Sequence, residues 1–313
     1  MRSRFESLAR QGGGFDEAKG LAAGIRAGQG EAALDLAALW LHAAISAPAC
    51  LAEIYDGSAA GWMGKRPEAE PLNAPGSRVE VPQGFWTGFW ALVEDQTSGG
   101  DAGLITQRTA ALAGALSPDF RAAAVEAALV YPGVRDAAAQ GFPARFTLED
   151  LSRAPAGSLG AEFHELIVSN GFDLEVLDRE ALGLADLPPP LDYLNARILQ
   201  CHDLWHITAG YQTTGLHEVA ISAFQAGQFG HNYSAMFLAM VLAKVAHNPM
   251  APANLMLDVI LSAWTHGRET PPLLPVDWPA VWGQSVADIR KELGVTAYAS
   301  PYPANLFESL RAA

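Results

Sequence analysis

A chain of 313 residues, half of them hydrophobic, is long enough for one large or two modest hydrophobic cores. Its 20 basic and 34 acidic residues leave a net charge of −14, which repels phosphate backbones and anionic headgroups. That excludes nucleic acid as a partner and requires any membrane contact to be hydrophobic rather than polybasic.

Ala-rich periodic segments outnumber β-branched runs, so the expected fold class is all-α, a multi-helix bundle. The two cysteines, Cys50 and Cys201, are too few for a disulfide framework and suit a reducing compartment. The first ten residues carry Arg2, Arg4, Glu6 and Arg10 with no apolar run behind them, which reads as no cleavable signal.

Over residues 31–55, Leu34, Leu39, Leu41, Ile45, Leu51 and Ile54 recur at helical spacing, interrupted at Pro48, and predict one or two helices. Residues 56–83 thicken in Gly, Pro and acidic side chains and predict a long loop. Phe85, Trp86, Phe89, Trp90 and Val93 then mark one apolar helix face, expected in the core rather than against a membrane, with a stop at Ser98-Gly99-Gly100. Two more helices are expected over 101–116 and 118–131, the second capped by Ser117 with Pro118 in its first position. After a mixed connection over 134–151, the segment from Pro155 to Gly160 leads into a helix holding Phe163, Leu166 and Ile167.

Leu187-Pro188-Pro189-Pro190 halts the chain ahead of a helix whose inward face should carry Leu194, Ile198, His202 and either Trp205 or His206. At about 100° per residue, His202 and His206 lie about 40° apart and Asp203 about 60° beyond His206, so three donor side chains share one arc. Cys201 points about 100° from His202 and reads as a packing residue. Gly210 supplies the left-handed stop, and a short turn places Glu218 in the first turn of the next helix, folded back antiparallel. Two imidazoles with one or two carboxylates suit a divalent first-row metal with open positions, as in a catalytic rather than a Cys-rich structural site. The plainer alternative is a pair of half-buried, hydrogen-bonded histidines on an amphipathic helix.

Residues 219–243 contain no formal charge, yet Gln225, Gln228, His231, Asn232 and Ser234 argue for a buried helix broken near Gly230 rather than a membrane span. Residues 255–265 form another apolar helix, followed by Gly267-Arg268 and a Pro271-Pro272 break. Trp278, Trp282 and an amphipathic stretch over 286–293 come next, and residues 298–313 read as an irregular arm ending in a short helix.

His202-Asp203-x-x-His206 followed after eleven residues by Glu218 resembles the H-D-x-x-H-x11-E motif of the fourth Coq protein family of ubiquinone (coenzyme Q) biosynthesis. Gly157-Ser158-Leu159-Gly160, Ala263-Trp264-x-x-Gly267-Arg268, Pro272-Leu273-Leu274, Trp282 and the run from Ile289 to Val295 match the same family in order. On this basis the chain divides into a 1–150 helical region of unassigned role, a 151–295 metal- and lipid-binding helical domain, and a 296–313 arm.

The resemblance implies metal ligation by His202, Asp203, His206 and Glu218, with zinc favoured and iron or another first-row metal open. It implies a polyprenyl benzoquinone-precursor lipid beside the metal, contact with other ubiquinone biosynthesis proteins, and peripheral membrane association; it leaves homo-oligomerisation open. The implied activity is metal-dependent decarboxylation at ring carbon 1 of a polyprenyl-hydroxybenzoate, either plain or oxidative, the oxidative course requiring a redox-active metal such as iron in place of zinc. The alternative is a non-catalytic lipid-binding scaffold. Arg197 and Arg268 are the candidate carboxylate clamps, and the helices over 219–243 and 255–265 the candidate wall for the prenyl tail. His217 stands where the family usually has Gly, offering an extra ligand, and Gln225 stands where an acidic residue is common. The location expected is cytoplasmic, peripheral to the inner face of the cell membrane.

Overall fold

The computed structural model describes residues 1–76, 78–95, 108–109, 111–175, 177–248 and 253–312. Among these residues every regular element is helical, as composition predicts, and none of the helices is long and apolar enough to cross a membrane. The expected stop at Ser98-Gly99-Gly100 and most of the helix expected over 101–116 lie outside the described residues.

Four helices open the chain: α1 (Arg2–Gln11), α2 (Phe15–Arg26), α3 (Ala32–Ile45) and α4 (Leu51–Met63), with a short 3-10 turn at Pro48–Cys50 before α4. α3 is apolar on every face, which suits only a helix enclosed by others. It is buried along nearly its whole length between α1, α2 and a helix from the second half of the chain. α4 corrects the loop expected from residue 56 onward, because it continues to Met63. The glycines that suggested a loop serve packing instead. A Cβ on Gly57 or Gly61 would collide with the backbone of α2 at Phe15 or Lys19, so both positions must stay bare for the two helices to lie this close.

α5 (Gln83–Val93) buries Phe85, Trp86, Phe89, Trp90 and Val93, which settles the aromatic stripe as core. α6 (Pro118–Ala128) begins as expected, with Ser117 Oγ accepting from the Phe120 amide at 3.2 Å. Two one-turn helices, α7 (Val134–Ala138) and α8 (Leu148–Ser152), lead to α9 (Leu159–Asn170), whose cap is Ser158.

The second half is built on four long helices: α10 (Leu191–Ala209), α11 (Gly215–Phe229), α12 (Asn232–His247) and α13 (Ala253–Glu269). α10 ends at Gly210 (φ 85°) and α11 at Gly230 (φ 65°), both in the left-handed region that L side chains rarely adopt. The charge-free stretch is thus two buried helices broken at Gly230. α11 lies against α13, and α12 lies against α3. Short helices α14 (Trp278–Val281), α15 (Val286–Leu293) and α16 (Leu306–Ala312) close the chain, and α15 holds the back of α10 by donating from Arg290 to the carbonyls of Thr208 and Ile207.

Among the described residues one hydrophobic cluster spans both halves. At its centre Trp40 of α3 stacks on Tyr55 of α4 (centroids 4.5 Å apart), and Tyr55 meets Trp264 of α13 (4.7 Å). The Trp264 indole N–H donates to Asp56 Oδ1 at 2.8 Å, so the buried carboxylate and the ring satisfy one another across the same junction.

Candidate metal centre and adjoining cavity

His202 and His206 stand one turn apart on α10, and residues 210–214 bring the first turn of α11 alongside. The two Nε2 atoms are 3.3 Å apart, His202 Nε2 is 3.1 Å from Glu218 Oε2, and His206 Nε2 is 3.3 Å from Glu218 Oε1. Farther along α11, Gln225 meets His202 again, and beyond its end His231 meets Asn195. Rising numbers on one side against falling numbers on the other mark the antiparallel pairing expected of α10 and α11.

The two imidazole nitrogens thus stand 3.1–3.3 Å from one another and from one oxygen each of the Glu218 carboxylate across the helix pair, close enough for one divalent ion to be shared among them at about 2 Å bond lengths. A ligand atom of Asp203 lies within 4.8 Å of those of both histidines and can provide a fourth donor. The donor set, two neutral imidazoles and one or two carboxylates, therefore fits a divalent ion in both type and spacing.

The electrostatics agree with a preformed anionic ligand. Burial alone would push the Glu218 carboxyl up, but hydrogen bonds and positive charge from His202 and His206 outweigh it and hold the group well below the usual carboxylate range. Burial opposes a charged His202, yet Glu218 reverses the balance and raises it. Asp203 is pushed up, chiefly by burial, despite the two histidines.

Gln225 orients His202. Its Nε2 lies 3.0 Å from His202 Nδ1, and its Oε1 accepts from Ser234 Oγ at 3.4 Å. Turning the amide over would let Oε1 accept from a protonated Nδ1, the tautomer that frees Nε2 for an ion, while the amide N–H₂ faces Ser234. Either arrangement leaves the buried amide paired. Ser234 Oγ in turn lies 2.8 Å from His231 Nδ1, so a polar thread runs from His202 through Gln225 and Ser234 to His231. His206 Nδ1, by contrast, has no hydrogen-bond partner among the described residues.

A cavity of about 350 Å³ opens beside this group, with His202, Glu218, Ser222 and Gln225 on its polar side. Its greasy wall comes from Leu182, Leu184, Leu187, Ile198, Leu199 and Phe237. α12 contributes Phe237, as expected; α13 contributes nothing, because it lies against the other face of α11 and is spent on core contacts with α4. The segment just before α10 supplies the leucines instead.

Neither arginine expected as a clamp borders the cavity. Arg197 is five residues from His202, about 140° around the helix. There it donates to Gln200 Oε1 (2.7 Å) and to the Val276 carbonyl (2.6 Å), with Phe146 beneath its guanidinium. Arg268 is buried in the interface of α13 with α4, beside Asp56 (3.4 Å) and donating to the Glu70 carbonyl (2.7 Å). Both tie elements together. His217 is held from its other side: its Nδ1 accepts from the Gln212 amide and its ring lies edge-on to Tyr211 and Tyr298, while its Nε2 has no hydrogen-bond partner among the described residues. Cys201 is fully buried with its thiol pushed up to about 12 by burial, the packing residue expected.

The arginine that does border the cavity is Arg121, from α6. Nothing near it in sequence marks it, because the cavity is assembled from distant segments. Gln225, Ser234 and His231 did leave a trace, as polar residues in an otherwise charge-free stretch whose purpose a membrane span could not explain.

Comparison with known proteins places this geometry. The family model "Coenzyme Q (ubiquinone) biosynthesis protein Coq4" matches residues 143–299, half of the chain. A protein of Drosophila ananassae named "Ubiquinone biosynthesis protein COQ4 homolog, mitochondrial" is 31% identical over 147 residues, covering 47% of this chain and 53% of that protein. A Laccaria bicolor protein named "Ubiquinone biosynthesis protein COQ4, mitochondrial" is 26% identical over 148 residues, with 47% and 48% covered. The chain thus spans about half the length of the curated relatives it matches. A crystal structure from Nostoc punctiforme, described as that of a candidate ubiquinone biosynthesis protein, shares the fold with a TM-score of 0.51 at 21% identity, over 68% of this chain and 97% of that one. The mitochondrial names of the relatives overturn the expected cytoplasmic placement at the inner face of the cell membrane. The order of motifs, the match over residues 143–299 and the shared helical fold together make this chain a member of the coenzyme Q (ubiquinone) biosynthesis protein Coq4 family.

Proposed function

We propose that the chain removes the carboxylate at ring carbon 1 of a polyprenyl-hydroxybenzoate in ubiquinone biosynthesis, with a divalent metal held by His202, His206 and Glu218 and Asp203 as a fourth ligand. The observation that carries this reading is the meeting of three metal-type donors with a cavity that also has an apolar wall. Zinc fits two imidazoles with carboxylates; iron(II) fits the same set and is the choice for an oxidative course. Bound there, a divalent ion would supply Lewis acidity toward the negative charge that builds on the ring as carbon dioxide leaves, with a proton taken up from solvent replacing the carboxylate at ring carbon 1; an oxidative course would instead consume dioxygen as the oxidant.

The chain's own residues do the rest. Leu182, Leu187, Ile198, Leu199 and Phe237 take the prenyl tail, whose burial contributes on the order of 3–4 kcal/mol per isoprene unit, so the tail dominates affinity. The same wall excludes water around the ring, which strengthens each polar contact made to it. Gln225 fixes the His202 ring, and Glu218, held in its charged form, balances the ion's charge. By analogy with the relatives' names, the work is done in mitochondria; the family resemblance adds other ubiquinone biosynthesis proteins as partners and peripheral contact with a membrane.

The test is carbon dioxide release from a polyprenyl-hydroxybenzoate by purified protein loaded with zinc or iron(II), against protein stripped with a chelator. Turnover confined to the loaded protein and lost in Glu218→Ala is the expected result; a Glu218→Ala variant that keeps full turnover removes the reading. One observation favours the scaffold alternative: His202, His206 and Glu218 bridge α10 and α11, so an ion there would staple two helices. On that account ligand loss lowers the melting temperature and partner binding together, and the pure protein never turns over.

A further inference from the structure

The cavity beside the His–Glu group does not end at its greasy wall. A second hollow of about 140 Å³ lies between α6 and the start of α10, and the two share Ala113, Arg121, Leu187, Asn195, His231 and Tyr233. These six therefore form a neck between one chamber that reaches Glu218 and another lined by Phe120, Ala124, Ala128, Leu191 and Leu194. A neck that carries Arg121, Asn195 and His231, with apolar wall in the chamber on either side, suits an amphiphile with its ionic group at the neck.

The charge at that neck comes from Arg121. Burial and the nearby His202 push His231 down to about 3, so its ring is neutral at any ordinary pH. The Arg121 guanidinium makes no ion pair or hydrogen bond with any described residue, although the chain carries an excess of carboxylates and ties Arg145, Arg179 and Arg268 into pairs. It also sits in the first turn of α6, where the positive end of the helix dipole disfavours a cation and favours an anion. A lone guanidinium set against its own helix dipole, at the border of an apolar cavity, is arranged for a counter-ion from outside the chain.

We propose that Arg121 is the anion-receiving residue of this cavity, binding the ring carboxylate of an aromatic acid whose body lies between the neck and Glu218. This rests on the decarboxylase reading for the identity of the acid, but not for the selectivity itself. Arg121 lies outside the matched residues 143–299, so the segment preceding the family region takes part in choosing the substrate. The assignment replaces Arg197 and Arg268, whose guanidinium groups are committed elsewhere. It also separates the charges sensibly: the acid meets Arg121 at one end, while Glu218 at the other would repel it without an ion between them.

The experiment compares binding of two probes to the full-length protein: a 3-prenylated 4-hydroxybenzoate with a two-isoprene tail, and the matching 2-prenylphenol lacking the carboxylate. Calorimetric titration of wild type should show the acid bound at least tenfold more tightly than the phenol. In Arg121→Gln that preference should fall to about unity with phenol affinity unchanged, and Arg121→Lys should keep part of it. Arg121 is exposed, so both variants should fold, and their melting temperatures check this. An unchanged preference in Arg121→Gln, an equal loss for both probes, or a wild-type protein that binds the acid no better than the phenol overturns the proposal. Carbon dioxide release measured on the same samples keeps the two readings apart. Arg121-dependent preference without turnover sinks the decarboxylase and leaves the anion site standing; turnover with an Arg121-independent preference does the reverse.

Discussion

His231 shows how a single side chain can couple the cavity to stability. Its folded pKa is depressed from the ordinary 6.5 to about 3 by burial first and by His202 second, so the native state stays unprotonated while the unfolded chain takes up a proton as the pH falls below 6.5. The stability it contributes is present in full above that value and is lost progressively toward pH 3. At pH 5 the loss amounts to about 2 kcal/mol. Urea unfolding of wild type and His231→Gln at pH 7 and pH 5 should show a smaller drop for the variant by that amount; equal drops would mean that His231 is protonated in the native cavity. His42 and His266 are lowered by burial too, so the variant should keep a residual acid sensitivity. At this scale the paired histidines were legible, because a His-x3-His turn fixes two side chains by helix geometry alone. The arginines were not: helical periodicity says which way Arg197 turns from His202, but only the neighbours on that side reveal that Val276 and Gln200 await it.

Between elements, the position of Glu218 depends on how α11 is seated, and α11 is seated by two glycines. A Cβ on Gly227 would come within 2.8 Å of the Trp264 carbonyl, and one on Gly267 would run into the Phe224 carbonyl of α11. Both obstacles are backbone and cannot turn aside. Gly267→Ala should therefore push α11 away from α13 at a cost of about 1–3 kcal/mol, the usual range for overpacking. Because α11 carries Glu218 and Gln225 toward α10, the same change should weaken zinc binding, measured by competition with a chromogenic chelator. Loss of stability with unaltered zinc affinity would show that α10 alone determines the site. The Gly267-Arg268 pair was visible in the sequence as a family match, but its reason, close helix packing remote from the cavity, was not.

For the molecule as a whole, the core runs without a break between the segment before residue 143 and the family region. Trp264 rests on Tyr55 and donates to Asp56, α3 is enclosed by α12, and Arg268 reaches the carbonyl of Glu70. Cutting the chain at the edge of the match would strip α12 and α13 of their cover. Residues 143–299 expressed alone should give no cooperative thermal transition and should bind a hydrophobic dye, whereas the full chain melts cooperatively. A fragment that unfolds cooperatively would instead bear out a separate domain over 151–295, as the family resemblance suggested.

Composition and periodicity were enough to establish an all-helical chain, the break at Gly230, the cap at Ser117 and the shared arc of His202 and His206, since each is a consequence of local backbone geometry and of which faces must avoid water. The extent of α4 escaped, because Gly57 and Gly61 signal a loop to any local reading and a close helix contact only once α2 is beside them. The cavity escaped for a deeper reason. Its walls come from α6, the stretch before α10, α10 itself, α11 and α12, and which of their side chains line a common space is set by long-range packing that no spacing along the chain encodes.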